Sequence, residues 1–199
     1  ISQALDSAIN QPLATEILVI DNGSSDRTLE ILTEYSKKDS RIKILNCNEK
    51  GVSRALNVGL NHATGTFIAR LDADDKMLPN RLQWQLQAIR DNRSVGLVSS
   101  QVIFIDSHNL EIGRSKYPVG QLTLFRHFLL RNPIAHPSVL FRKEIAIKAG
   151  SYRPEFEGAE DLDLWIRMLD YGEILSSDEF LTLYRIHENQ ITLTHDLYA

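Results

Sequence analysis

One cysteine, Cys47, is the whole thiol inventory of this chain. It excludes an internal disulfide, and no Cys/His spacing of a zinc site accompanies it, so a reducing, cytoplasmic setting is the first expectation. There is no run of about 18 or more apolar residues and no signal-peptide pattern, which argues against a spanning helix within this segment. Blocks of Lys or Arg are missing too. With a formal net charge of -4 and an isoelectric point near 5.9, the chain has no electrostatic footprint for nucleic acid. It also lacks a G-x-x-x-x-G-K-[ST] phosphate loop, and Met77 stands where a calcium loop needs its glycine. What is there, 199 residues with 43% hydrophobic and 24% charged, suits one globular domain over residues 1–199 with a sizeable core. Its acidic residues are then to be read as local chemistry.

The chain enters in mid-pattern, with Ile1, Leu5, Ala8 and Ile9 on one helical face, and residues 194–199 carry no stop signal, so a fragment is expected. Strands are predicted at Glu16–Ile20, Ile42–Leu45 and Phe67–Ala69, alternating with helices that follow the Asn22–Asp26 turn and Gly51. That alternation predicts an α/β fold with right-handed crossovers and a mostly parallel sheet, in which ligands bind beyond the carboxyl ends of strands. The second half reads as a mixed sheet extension. It holds a helix from about Asn80, strands around Gly96–Ser99 and Val102–Asp106, a helix with Leu122, Phe125, Phe128 and Leu129 inward, a strand at Ser138–Phe141, a helix from Glu160 to Leu169 and a last strand at Leu181–Ile186.

Leu71-Asp72-Ala73-Asp74-Asp75 crowds three carboxylates at the end of an apolar strand. A turn there lets Asp72 and Asp74 face one divalent cation, and hard oxygen ligands select Mg²⁺ or Mn²⁺ with positions left open for substrate phosphates. A polar strand end capping the next helix is the plainer alternative. Asp21 ends another strand. A second acidic cluster, Glu160-Asp161-Leu162-Asp163, opens a helix whose stripe of Leu162, Trp165, Ile166 and Leu169 is expected to anchor it. Carboxylates in a first helical turn are favoured by the macrodipole alone, and Asp161 is the candidate to take a proton if it faces the metal site.

Taken in order, Val19-Ile20-Asp21-Asn22-Gly23-Ser24-Ser25-Asp26, Asn57-x-Gly59-Leu60, Ala63-Thr64-Gly65, Leu71-Asp72-Ala73-Asp74-Asp75 and Glu160-Asp161-x-Asp163-Leu164-Trp165 resemble the family 2 glycosyltransferases over nearly the whole chain. The resemblance implies a GT-A fold, a nucleotide-diphosphate sugar donor, Mn²⁺ or Mg²⁺, and transfer with inversion at the anomeric carbon. It implies Asp21 at the nucleotide base, Asp72 near the ribose or the metal's water shell, Asp74 on the metal, Asp161 as catalytic base and Glu160 beside it as an acceptor-site or positioning carboxylate. Tyr184-Arg185-Ile186-His187 resembles the family's late R-x-H segment, which puts His187 at the metal or diphosphate and Arg185 at phosphate. A strand-end histidine bonded to a neighbour is the alternative. His136, in Asn132-Pro133-Ile134-Ala135-His136-Pro137-Ser138, is a candidate sugar contact or a rigid-loop residue, and Arg54, which matches no fixed motif position, a candidate nucleotide contact.

The expected acceptor is a glycan or a lipid-linked species in bacterial surface-polysaccharide assembly, which admits peripheral membrane contact. One departure stands out. The family's first apolar strand, which lies inside the sheet and helps bind the base, is not in this sequence: either residues upstream of it supply that strand, or the fragment has an exposed sheet seam and a compromised nucleotide pocket, and the former is expected because an unpaired central slot would strand many backbone hydrogen-bond groups. A non-catalytic nucleotide- or glycan-binding module on a degenerate scaffold is the alternative function.

Overall fold

A computed structural model describes residues 1–128 and 130–188. Leu129 and residues 194–199, both singled out above, lie outside the described residues. The chain begins with α1 (Ser2–Ile9), β1 (Ile17–Asp21), α2 (Thr28–Lys38), β2 (Ile42–Asn46), α3 (Val52–His62) and β3 (Phe67–Ala69). β1 and β2 pair in parallel, Ile17 beside Ile42 through Asp21 beside Asn46. Leu5, Leu32 and Ile42 seal this half into a small core of its own.

After β3 come β4 (Lys76–Met77), α4 (Arg81–Asp91), β5 (Val95–Ile105), β6 (Glu111–Arg114), α5 (Gln121–Phe128), β7 (Leu140–Arg142), α6 (Lys143–Lys148), α7 (Glu160–Met168) and β8 (Glu173–Arg185). Six of these strands form one sheet in the order β3-β7-β5-β8-β4, with β6 on β5. The expected α/β fold with a mixed sheet flanked by helices is present. Its parallel share is smaller than the alternation of elements predicts: β5 runs parallel to β8, while β3–β7, β4–β8, β5–β6 and β5–β7 are antiparallel. The reason is that β7 and β4 enter through loops and a short helical turn instead of full crossover helices.

β1 has its ladder with β2 and β3 has its ladder with β7, so among the described residues the two sheets share none.

Two strand boundaries differ from expectation for one reason. The pair predicted at Gly96–Ser99 and Val102–Asp106 is the single strand β5, and β8 begins at Glu173 instead of Leu181. In both, polar residues that read as breaks are buried within the sheet: Ser99, Ser100 and Gln101 in β5, Ser176 and Ser177 in β8. Gln101 donates to the carbonyls of Tyr117 and Ser177, and register shifts at Ser99 and Gln101 let both strands bend past this point.

Helix faces also turned. α7 buries Leu164, Trp165 and Met168, while Ile166, expected inward, is 46% exposed. On α5 the inward pair is Leu124 and Phe128, four apart, and Phe125 faces out at 55% exposure.

Gly51 takes a φ of 129°, a backbone region that side-chain-bearing residues rarely adopt, and turns the chain into α3. The first amides of α3, Val52 and Ser53, donate to the carboxylate of Glu157, which arrives from the loop before α7. An anion at a helix N-terminus satisfies orphan N–H groups and the macrodipole together. Glu157→Ala is expected to lower stability by about 1 kcal/mol, seen as a lower urea midpoint with an unchanged slope. A midpoint equal to that of the wild type would show the cap to be redundant.

Candidate active site

The aspartate loop leaves β3 through Arg70, whose amide bonds the Val139 carbonyl, and turns where the Asp75 amide reaches the Asp72 carbonyl at 3.2 Å. The turn gives its three carboxylates three environments. Asp72 is ion-paired to Arg70 Nη2 at 2.6 Å. Asp74 points outward, and its Oδ2 lies 2.9 Å from His187 Nε2. Asp75 points inward: it is 2% exposed, and its Oδ1 accepts the Arg185 amide at 2.7 Å. Burial, then the charges of Asp72 and Asp74, push the Asp75 carboxyl up to about 8.

Asp21, 8% exposed at the end of β1, accepts the Ser24 amide at 3.2 Å. With Asp74, Ala73, Val19 and Ile20 it lines a cavity of about 490 Å³ between the two sheets. The structure thus brings Asp21, at the end of β1, and Asp74, in the loop between β3 and β4, to one cavity.

Two further candidates are held by neighbouring groups. Arg54 Nε is held by Glu49 at 2.9 Å, and the residue lines another cavity, of about 360 Å³, with Asn46, Asn48 and Asn57. Asn46, in the lining of that cavity, is the residue paired with Asp21 across the β1–β2 ladder. Arg185 sends Nε to the Asp74 carbonyl and Nη1 to the Asp106 carbonyl, with Nη2 on Gln3 and Asn109. Its guanidinium braces the aspartate loop from behind.

The second cluster sits at the start of α7. Glu160, 8% exposed, accepts the Gly158 amide at 2.7 Å, and its Oε1 lies 3.9 Å from His136 Nδ1. His136 Nε2 is 3.1 Å from the Tyr152 hydroxyl, and the imidazole packs edge-on against Trp165. Burial, aided by the Arg70 charge, holds His136 well below its usual pKa, so it is neutral near pH 7.

Asp161 accepts from Asn132 Nδ2 at 2.6 Å and from the Leu162 amide at 2.7 Å. Burial and the neighbouring Glu160 nevertheless raise it to about 6. Asp163 is different. Burial would raise it, but Arg153 and Arg167 grip both its oxygens and hold it below the ordinary carboxylate range. Asp161 is thus raised by burial where Asp163 is held down by its arginines.

Three contributors went unread in the sequence. Asn132 was quoted there only as part of a matching stretch. Arg70 is the cation shared by the two clusters: it acts electrostatically on Asp72 and Asp75 on one side and on His136, Tyr152 and Asp161 on the other. Arg81, fully buried on α4, donates to the carbonyls of Pro137, Arg70 and Val139 and to Gln85. It fixes the strand end that carries the aspartates against the loop that carries His136.

Among the described residues no three His, Cys, Asp or Glu side chains are grouped to hold an ion. Asp74 and His187 are a pair, and a pair of donors beside an open cavity fits a cation that keeps its other positions for phosphate and water. Carboxylate and imidazole together suit Mn²⁺ as well as Mg²⁺. No helix among the described residues is long and apolar enough to cross a membrane.

The family described as glycosyl transferase family 2 matches residues 1–149. The O-antigen biosynthesis glycosyltransferase WbnJ of Escherichia coli is 32% identical over 191 residues, which cover 92% of this chain and 73% of WbnJ. Three other curated relatives are spanned over between 64% and 66% of their length. Among solved structures, Staphylococcus aureus TarS 1-349 in complex with UDP-GlcNAc superposes with a TM-score of 0.78 at 20% identity, covering 98% of this chain and 57% of that one. The mannosyltransferase PcManGT of Pyrobaculum calidifontis, in complex with GDP-Man and Mn²⁺, gives 0.72 at 17% identity, covering 95% and 54%. These superpositions show the GT-A fold.

Proposed function

The chain belongs to glycosyl transferase family 2, and on that premise we propose that it moves a sugar from a nucleotide-diphosphate donor to a hydroxyl acceptor, with inversion at the anomeric carbon. The observation that carries this reading is the convergence of Asp21 and Asp74 on one cavity of about 490 Å³. On this reading Asp21 meets the base and Asp72 the ribose or the metal's water shell. Asp74 and His187 would hold Mn²⁺ or Mg²⁺, which when bound neutralises charge on the departing diphosphate. The neighbours named above support such donors: TarS was solved with UDP-GlcNAc, PcManGT with GDP-Man and Mn²⁺.

Asp161 takes the proton of the acceptor hydroxyl as the new C–O bond forms. With a carboxyl near 6 it is ionised at neutral pH yet more basic than an exposed aspartate. Asn132 fixes its orientation. Glu160 holds the helix start and keeps Asp161 basic by its charge. His136, neutral and locked between Tyr152 and Trp165, shapes the acceptor side as a hydrogen-bonding wall. Arg185 acts on the loop through the Asp74 carbonyl. The acceptor class that fits WbnJ's name is a polysaccharide precursor, glycan or lipid-linked.

Calorimetric titration with UDP, GDP and dTDP, first with Mn²⁺ and then with EDTA, tests this. One nucleotide is expected to bind with Mn²⁺, and Asp74→Ala to weaken it by about tenfold or more, the loss of one charge-assisted contact. Binding that ignores both EDTA and Asp74→Ala would refute the assignment of Asp74 and His187 to a metal.

A further inference from the structure

Asn57, on α3, directs both ends of its side-chain amide to one residue far along the chain. Nδ2 donates to the Tyr152 carbonyl at 2.7 Å and Oδ1 accepts the Tyr152 amide at 3.0 Å, the exchange of a β-ladder made by a side chain. Next to it, Arg167 on α7 donates to the Ser151 carbonyl at 2.7 Å. Tyr152 is thereby seated between two helices, just past the exit of α6, where Gly150 and Ser151 take φ values of 90° and 58° and turn the chain. Its ring is buried and packs against His136 and Trp165.

The hydroxyl on this buried ring needs a partner, and it has His136 Nε2 at 3.1 Å. Which of the two holds the shared proton follows from the far side of the imidazole. There Nδ1 faces Glu160 Oε1 at 3.9 Å, too long for a formed hydrogen bond but close enough for the carboxylate charge to choose the tautomer. With the proton on Nε2, a ring lone pair would oppose the carboxylate, and the Tyr152 hydroxyl would have no acceptor among the described residues. With the proton on Nδ1, the ring turns its positive edge to Glu160, and its lone pair accepts from Tyr152. The second arrangement suits all three groups.

The loop that carries His136 meets both carboxylates that open α7. Asn132 donates to Asp161 at 2.6 Å, and His136 faces Glu160, whose other oxygen accepts the Gly158 amide at 2.7 Å. We propose that Tyr152 is a positioning residue: its hydroxyl, donated to His136 Nε2, keeps the Nδ1–H of that ring on Glu160 and so fixes the start of α7. Asn57 holds Tyr152 in the place from which it does this. Asp161 is the next residue after Glu160, so the same chain of contacts aims the base. That use rests on the glycosyltransferase reading; the order Asn57, Tyr152, His136, Glu160 does not.

Nitrogen NMR of protein labelled at its histidine rings tests the chain without any transfer reaction. The His136 ring, assigned by the loss of its signals in His136→Asn, is expected to show a protonated Nδ1 and an Nε2 shifted by its hydrogen bond. Tyr152→Phe is expected to move Nε2 toward the position of an unbonded ring nitrogen, and to quicken hydrogen exchange at the Gly158 amide by about tenfold. Phenylalanine keeps the ring packing, so the melting temperature falls by no more than about 2–4 °C and nucleotide binding in Mn²⁺ stays that of the wild type. Turnover is expected to fall by about tenfold or more, from a base held slightly out of place. A protonated Nε2 in the wild type, Gly158 exchange unchanged in Tyr152→Phe, or full turnover in that variant would overturn the proposal. A wild type that transfers no sugar yet gives the expected spectra and exchange would remove the glycosyltransferase reading and uphold the chain of contacts.

Discussion

Asp161→Asn is expected to cut turnover by roughly 10²–10⁴-fold, the usual contribution of a positioned general base, while nucleotide binding in Mn²⁺ stays that of the wild type. The substitution keeps shape and hydrogen-bonding reach. Its amide oxygen accepts from Asn132 or from the Leu162 amide, so little of the local geometry moves. Stability gives a second, opposite readout. The folded carboxyl sits at about 6, above its ordinary value, because burial and Glu160 penalise the charge. The folded state therefore binds the proton more tightly, and this residue's share of stability is fully present below the ordinary carboxylate range and lost as pH rises through about 6. An uncharged Asn escapes that loss, so the variant should melt no earlier than the wild type at pH 7. In the wild type kcat/KM should fall below pH 6, where Asp161 carries the proton. Unchanged turnover in Asp161→Asn, or the same acidic limb in its residual activity, would remove Asp161 from the role of base.

Arg81→Ala is expected to destabilise the fold by about 3–5 kcal/mol, in the range for breaking a buried charged network. Arg81 is 0% exposed and donates four hydrogen bonds, to the carbonyls of Pro137, Arg70 and Val139 and to the side chain of Gln85. The Val139 carbonyl keeps the Arg70 amide when Arg81 is removed, but the other two carbonyls lose their donor from α4. Each buried acceptor left without a partner costs about 1–3 kcal/mol, and the space left by the long stem adds to it. Urea denaturation reads the effect as a lowered midpoint. A shift under about 1 kcal/mol would mean that water replaces the guanidinium, and that the network is looser than its distances imply.

What the sequence made legible, and what it hid, divides by the kind of signal. Asp21, Asp72, Asp74, Glu160 and Asp161 were readable because each stands at the end of a hydrophobic strand or the start of an amphipathic helix, where period and punctuation locate it. Arg70 and Arg81 were not. An arginine one residue past a strand, or in the first turn of a polar-faced helix, looks solvated in one dimension, and what buries both is the arrival of β7 and its preceding loop. The internal Ser-Ser-Gln of β5 misled for the mirror reason: its polar groups are satisfied by partners far along the chain. Phe125 and Ile166 were expected inward because hydrophobicity was taken to mean burial, a rule that holds only one way. Asp75 is the subtlest case. Sequence grouped it with its neighbours, and the turn sent it inward to the backbone of Arg185.

The clamp of Asp74 by His187 and of Asp75 by Arg185 joins positions more than a hundred residues apart. During synthesis the aspartate loop therefore leaves the ribosome well before the strand that completes it. At about 5–20 residues per second the interval is roughly 6–20 s. Through that time Asp74 and Asp75 lack their late partners while Asp72 already has Arg70 beside it, and β5 lacks the parallel partner that covers one of its edges. A ribosome stalled in this window would hold a polypeptide with both halves of its fold begun and the aspartate loop unfinished, its bare strand edge open to pairing with other chains. Closure of β8 on β5 and completion of the aspartate loop are then the same event.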